Sequence, residues 1–221
     1  MLLAYSKKAL EAHRKTNCLT EVMISEAQTL ARACNRAGPL AGMPVSLKDT
    51  VGVAGFASCL GYSNPFRLVP FQKDAAIVRL LRDAGAYAFV KTNVPITLLS
   101  FESSSDLWGR TTNPHSAAHS PGGSTGGEAA LLALGGSRLG IGTDVAGSVR
   151  IPAHYSGIYT IKASTFRFPK SGCTTSVVGQ EGVPAVYSPM TRTLEDLDTF
   201  WRAVVGMKPW EYDHSVCQRS L

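Results

Sequence analysis

The chain has 221 residues, 44% hydrophobic and 17% charged, a balance that suits a soluble globular protein with a sizeable core. Its net charge of +6 comes from scattered Lys and Arg without a basic stripe or aromatic platform, which argues against a nucleic-acid partner. Five widely spaced cysteines lack any Cys-x-x-Cys pair, and no apolar run approaches the roughly 18 residues that span a membrane. Together these disfavour a disulfide framework, a zinc site, a signal peptide and a membrane span, and they point to a cytoplasmic protein.

In chain order, helical spacing of apolar and charged residues predicts a first helix over Leu3 to Lys15. A helix opening at residue 2, with no lead-in, is compatible with a chain whose beginning lies further upstream. Leu19 to Met23 reads as a short extended link, and Ser25 to Arg36 as a helix with Ser25 as N-cap, stopped by Gly38-Pro39. Gly42 to Val53, GMPVSLKDTVGV, alternates small or apolar with polar residues and reads as a strand carrying Ser46 and Lys48 on one face. Taken alone, Lys48 reads as an ordinary solvent-facing lysine on an edge strand.

Asp74 to Gly85 reads as a helix and Tyr87 to Thr92 as a buried strand, an order that suggests a mostly parallel α/β sheet. Pro95 to Phe101 reads as a short helix, and Glu102 to Pro121 as a long polar loop. Glycine-rich turns surround Ser124 and Thr125, followed by an apolar, buried helix over Glu128 to Leu134 and a small strand over Gly140 to Thr143. A sharp turn, Asp144-Val145-Ala146-Gly147-Ser148, then lets backbone N–H groups converge beside the Ser148 hydroxyl. Gly157 to Lys162 reads as a strand and Phe166 to Ala185 as irregular. Thr193 caps an amphipathic helix reaching Val205, and the tail from Pro209 is polar with no finishing element.

Two glycine-flanked serines suggest serine-based chemistry over turn-forming residues alone. Gly-Gly-Ser124-Thr-Gly imitates the α/β-hydrolase elbow, with Asp196 and His214 in the right order, but the polar run HSAAHSP replaces the strand that should lead into the serine. No Walker loop occurs, and Val145 stands where a dinucleotide fingerprint wants its third glycine. His115 and His119 are four apart, yet neighbouring prolines oppose the helix a metal pair needs, and no metal is expected.

The run GGSTGGEAALLALGGSRLGIGTDVAGSVRIPA resembles the signature of the amidase-signature family, and GMPVSLKDT resembles the segment supplying its lysine. The similarity continues through WGRTTNPHSAAHSPGG, SGIYTIKAS and SPMTRTLEDL, roughly Thr16 to Asp213. TNCLTEV and KPWEYD look most like the acetamidase-like general amidases. The resemblance implies an α/β/α sandwich around a mixed, largely parallel sheet, with Ser148 as nucleophile, Ser124 as relay serine on a cis peptide and Lys48 as base. It implies an oxyanion hole from the N–H groups of Val145, Ala146, Gly147 and Ser148, with support from Thr125, Asp144 and Arg150, and no cofactor. The implied partner is a small amide, hydrolysed through an acyl-enzyme. Lysine serves as base only if burial destabilises its ammonium, which is the chemistry this reading demands.

Departures carry expectations of their own. Ala146 replaces a family glycine and would strain the loop if that position takes positive φ. Thr125 replaces a second serine, and Ile161-Lys162-Ala163-Ser164 loses a rigid proline turn. Family members are longer, so the chain is expected to be a single, partial amidase-signature domain, incomplete at both ends and self-associating through exposed apolar surface. The rival expectations are a catalytically silent fragment or association module and, more narrowly, an amidotransferase A-type subunit.

Overall fold

A computed structural model describes residues 1–64, 68–180 and 182–218. Its centre is β2 (Pro44–Lys48), a strand with every residue buried. Parallel β3 (Tyr87–Thr92) lies on one side of it and parallel β6 (Leu139–Asp144) on the other. Outside β3 runs β1 (Leu19–Val22), antiparallel, and beyond β6 come β8 (Val186–Thr191) and β7 (Tyr159–Thr160), giving the order β1-β3-β2-β6-β8-β7. The sheet is mixed: β2, β3, β6 and β7 point one way, β1 and β8 the other.

Alternation along β2 decides what each face carries. Val45 and Leu47 enter a core with Ile77 and Leu80 of α3 (Ala76–Asp83) and Phe200 and Val204 of α6 (Leu194–Gly206). Ser46 and Lys48 turn to the opposite face. That face is covered by α1 (Leu2–Thr16), α4 (Gly126–Ala133) and α5 (Arg150–Ser156), through Ala9 and Ala12, Ala130 and Leu131, and Val149 and Ala153. The α2 helix (Ile24–Ala33) packs at the β3 side. Helices on both faces of a mixed sheet make the α/β/α sandwich.

Several boundaries differ from the sequence expectation. The strand expected over Gly42 to Val53 is only β2, and it is central, so Lys48 is no edge lysine. Leu19 to Val22 is a paired strand; Pro95 to Phe101 gives only a 3-10 turn at Ile96–Leu98, where Thr97 has φ 65°. Ser25 does not cap α2, whose N-cap is Met23 with no side-chain bond. The long polar loop contains a small hairpin, β4 (Ser104–Ser105) with β5 (Gly109–Arg110). The strand of Gly157 to Lys162 shrinks to β7.

Two elements had no sequence expectation. Helix α5 follows the turn directly, with Pro152 in its first turn where no N–H is missed. Strand β8 contains Pro189, which argues against an interior strand. Pairing explains it: β7 reaches only Met190 and Thr191, so Pro189 lies beyond its register. The tail is also better held than expected, since Asp213 accepts from the N–H groups of Lys170 and Ser171, both at 2.7 Å. Glu181 of the irregular segment and residues 219–221 of the tail lie outside the described residues.

Candidate active site

Lys48 ends β2 fully buried, and its ammonium nitrogen meets three hydroxyls: Ser124 Oγ at 2.8 Å, Thr125 Oγ1 at 2.8 Å and Thr143 Oγ1 at 2.7 Å. Burial pulls its pKa down to about 7, although Asp144, Asp49 and Glu128 oppose the shift. Thr125 Oγ1 in turn donates to the Thr143 carbonyl at 3.3 Å, and Thr125 N–H to the Ser148 carbonyl at 3.1 Å. These bonds lace the two glycine-rich turns together over the end of β2.

The turn before α4 has a cis peptide at Gly123-Ser124. Ser103 Oγ holds this turn from both sides, donating to the Gly122 carbonyl at 2.9 Å and accepting the Gly126 N–H at 3.1 Å. A side chain at Gly123 would run into the carbonyls of Ser100 and Glu102, so glycine lets these backbones close up.

The second turn hangs on Asp144, a buried carboxylate at the end of β6. It accepts the N–H groups of Gly147 at 2.9 Å and Val149 at 3.1 Å, and the Arg150 guanidinium bidentately, Nε at 3.1 Å and Nη2 at 3.0 Å. Burial alone would raise its pKa; Arg150 and the two N–H groups hold it below the usual carboxylate range. Gly147, with φ 126°, takes the left-handed geometry of the loop; Ala146 is not among the residues with positive φ. The strain expected at Ala146 is therefore not met. The Gly147 N–H is already engaged by Asp144, whereas those of Val145, Ala146 and Ser148 find no acceptor among the described residues.

Ser124 and Ser148 both line a cavity of about 220 Å³ together with Val145 and Ala146, walled by Leu98, Phe101 and Val177. A neighbouring chamber of about 410 Å³ shares Thr143 and Val177 and is lined by Cys173, Tyr187 and His214. Of the elbow alternative, Ser124 faces the first cavity and His214 only the second, while Asp196 is ion-paired with Arg138 at 2.6 Å. The structure does not bring those three together. His115 turns its Nε2 to the Ser156 carbonyl at 2.9 Å, and His119 lies on the same loop. Thr143 and Ser103 were not singled out from the sequence; a hydroxyl on the strand parallel to the lysine's was the available signal for Thr143.

The Amidase family profile matches residues 1–221, the whole chain. The chain belongs to the amidase family. Among its relatives, it is 41% identical to Amidase 1 of Gibberella moniliformis, covering 96% of this chain and 42% of that protein. It is 38% identical to the acetamidase of Emericella nidulans, covering 97% of this chain and 40% of that protein. A solved fatty acid amide hydrolase superposes with a TM-score of 0.93 at 34% identity, over 100% of this chain and 41% of that one. The chain thus spans about 40% of the length of the relatives it matches. Family membership accounts for the α/β/α arrangement.

Proposed function

We propose that this chain carries the reacting groups of an amide hydrolase, with Ser148 as nucleophile, Ser124 as proton relay and Lys48 as base. The observation that carries this reading is the fully buried Lys48 amine, 2.8 Å from Ser124 Oγ, behind a cavity that both serines line. An amide is a poor electrophile with a poor leaving group, so its hydrolysis needs a proton removed from the attacking hydroxyl and later returned to nitrogen.

Neutral Lys48 takes a proton from Ser124 as Ser124 takes one from Ser148, and Ser148 Oγ bonds to the carbonyl carbon. The oxyanion that develops accepts from the N–H groups of Val145, Ala146 and Ser148; Gly147 can contribute only by sharing the N–H now given to Asp144. The proton returns through Ser124 to the amide nitrogen, the C–N bond breaks, and ammonia or an amine leaves. Water then attacks the acyl ester on Ser148, releasing the carboxylic acid. Thr125 and Thr143 hold the amine of Lys48, and Asp144 with Arg150 braces the oxyanion turn.

The substrate is a small-molecule amide, and no step needs a metal or cofactor. Five free cysteines support a reducing, cytoplasmic setting. Among the described residues no helix is long and apolar enough to cross a membrane. Ammonia release from a panel of primary amides, from acetamide to long-chain amides, tests the reading. Ser148→Ala is expected to reduce the rate roughly a thousandfold or more. Undiminished release by that variant would overturn it. The rival reading is a catalytically silent association module. Absence of any release from folded protein would support that rival.

A further inference from the structure

One buried carboxyl stands beside the lysine without a part in the chemistry above. Glu128, in the first turn of α4, is fully buried. Its Oε2 accepts from Thr92 Oγ1 at 2.8 Å, and its Oε1 accepts from Ser46 Oγ. Those two hydroxyls bracket Lys48: Ser46 is two residues earlier on the same face of β2, and Thr92 is its register partner on β3. The seat is built for this side chain, because a Cβ on Gly140 of β6 would collide with the Glu128 carboxyl.

Three carboxyls act on Lys48 by charge: Asp144, Asp49 and Glu128. Asp144 is neutralised by the Arg150 guanidinium, and Asp49 has the Lys91 amine at 4.0 Å. Glu128 has no such cation among the described residues. Of the titratable groups on elements packed around α4, Lys48 on β2 and the Cys18 thiol ahead of β1 interact with it. Arg150 of α5 is turned to Asp144, and Lys91 of β3 to Asp49, the Ala57 carbonyl and Ser58.

We propose that Glu128 is a positioning residue for Lys48: from the helix that follows Ser124 it ties the lysine's own strand to β3 through Ser46 and Thr92, and its charge raises the pH at which the lysine becomes a base. The inference rests on the reading of Lys48 as base. Burial pushes the Glu128 carboxyl up to about 7, into the range to which burial pulls Lys48, so each ionisation acts on the other. An ionised Glu128 favours the ammonium of Lys48 and delays its conversion to a base; a neutral side chain there does not.

The test is the rate at which a fluorophosphonate labels Ser148, measured against pH. Glu128→Gln keeps the shape and one accepted hydrogen bond and removes the charge; its NH2 donates to the other hydroxyl, which can turn its own proton to the Leu139 or Leu47 carbonyl. It is expected to lower the midpoint of the acid limb by about one pH unit while leaving the high-pH plateau within roughly threefold. Thr92→Val removes a hydrogen bond that favours the ionised carboxyl, so it moves the midpoint the same way by a smaller step. A purely structural role would lower the plateau and leave the midpoint in place. Superimposable midpoints for both variants, with Lys48→Met unlabelled, overturn the inference alone. Wild-type labelling of Lys48→Met overturns the base reading and the inference together.

Discussion

At the scale of the residue, the proposed chemistry turns on the balance of forces on Lys48. Full burial destabilises its ammonium, and three hydroxyls satisfy the amine without supplying a counter-charge of their own. The pH sign follows. Only the neutral amine can accept a proton, so with a pKa near 7 the hydrolysis rate is expected to fall about tenfold per pH unit below that value and level off above it. A pH–kcat/KM profile checks this, and a rate independent of pH from 5 to about 9 would contradict it. Ser124, Ser148 and Lys48 were legible in the sequence because glycines flank the serines and because the motifs resemble a known family. Thr143, Ser103 and Glu128 were not. Each acts through partners distant in sequence, and Glu128 sits among apolar residues of a helix whose pattern says only that it is buried.

At the scale of the element, strand ends and helix starts bring the groups together. Lys48 closes β2, Thr143 and Asp144 close β6, and both serines stand just ahead of helices. Asp144 is the joint: one carboxylate gathers three N–H groups, those of Gly147, Val149 and, at 3.5 Å, Arg150, together with a guanidinium, shaping the turn that would meet the oxyanion. Arg150 is half exposed, so water weakens its pairing, and the N–H bonds carry more of the geometry. Asp144→Asn, which keeps one acceptor oxygen, is expected to lower kcat about tenfold or more with little change in KM. Steady-state kinetics checks it; an unchanged kcat would show that the turn holds its shape without this carboxylate.

Helix periodicity placed α1, α3 and α6 well, and the Thr193 cap is made as expected, its hydroxyl accepting the Asp196 N–H at 3.1 Å. Strands were harder to read. β8 was hidden by Pro189, tolerated only because β7 stops short, and β1 was too short to show a period.

At the scale of the whole molecule, the sheet separates two duties. The face of Val45 and Leu47 is apolar, packed on α3 and α6, and it anchors β2. The opposite face combines apolar packing from α1, α4 and α5 with a line of buried polar groups, Ser46, Lys48, Thr92 and Glu128, that water would otherwise solvate. Lys48, at the end of the fully buried central strand, is surrounded by packed elements on both faces of the sheet, the rigid setting that the proposed base with its displaced pKa requires. The 0.93 TM-score over the full chain is consistent with this region keeping its shape in a relative twice its length and more.

The most direct measurement is peptide mapping after fluorophosphonate treatment of the folded chain. If Lys48, Ser124 and Ser148 act as proposed, one adduct appears on Ser148, disappears in Ser148→Ala and is strongly slowed in Lys48→Met. A folded protein that takes no adduct, or whose adduct survives Ser148→Ala, would contradict the assignment of Ser148 as nucleophile.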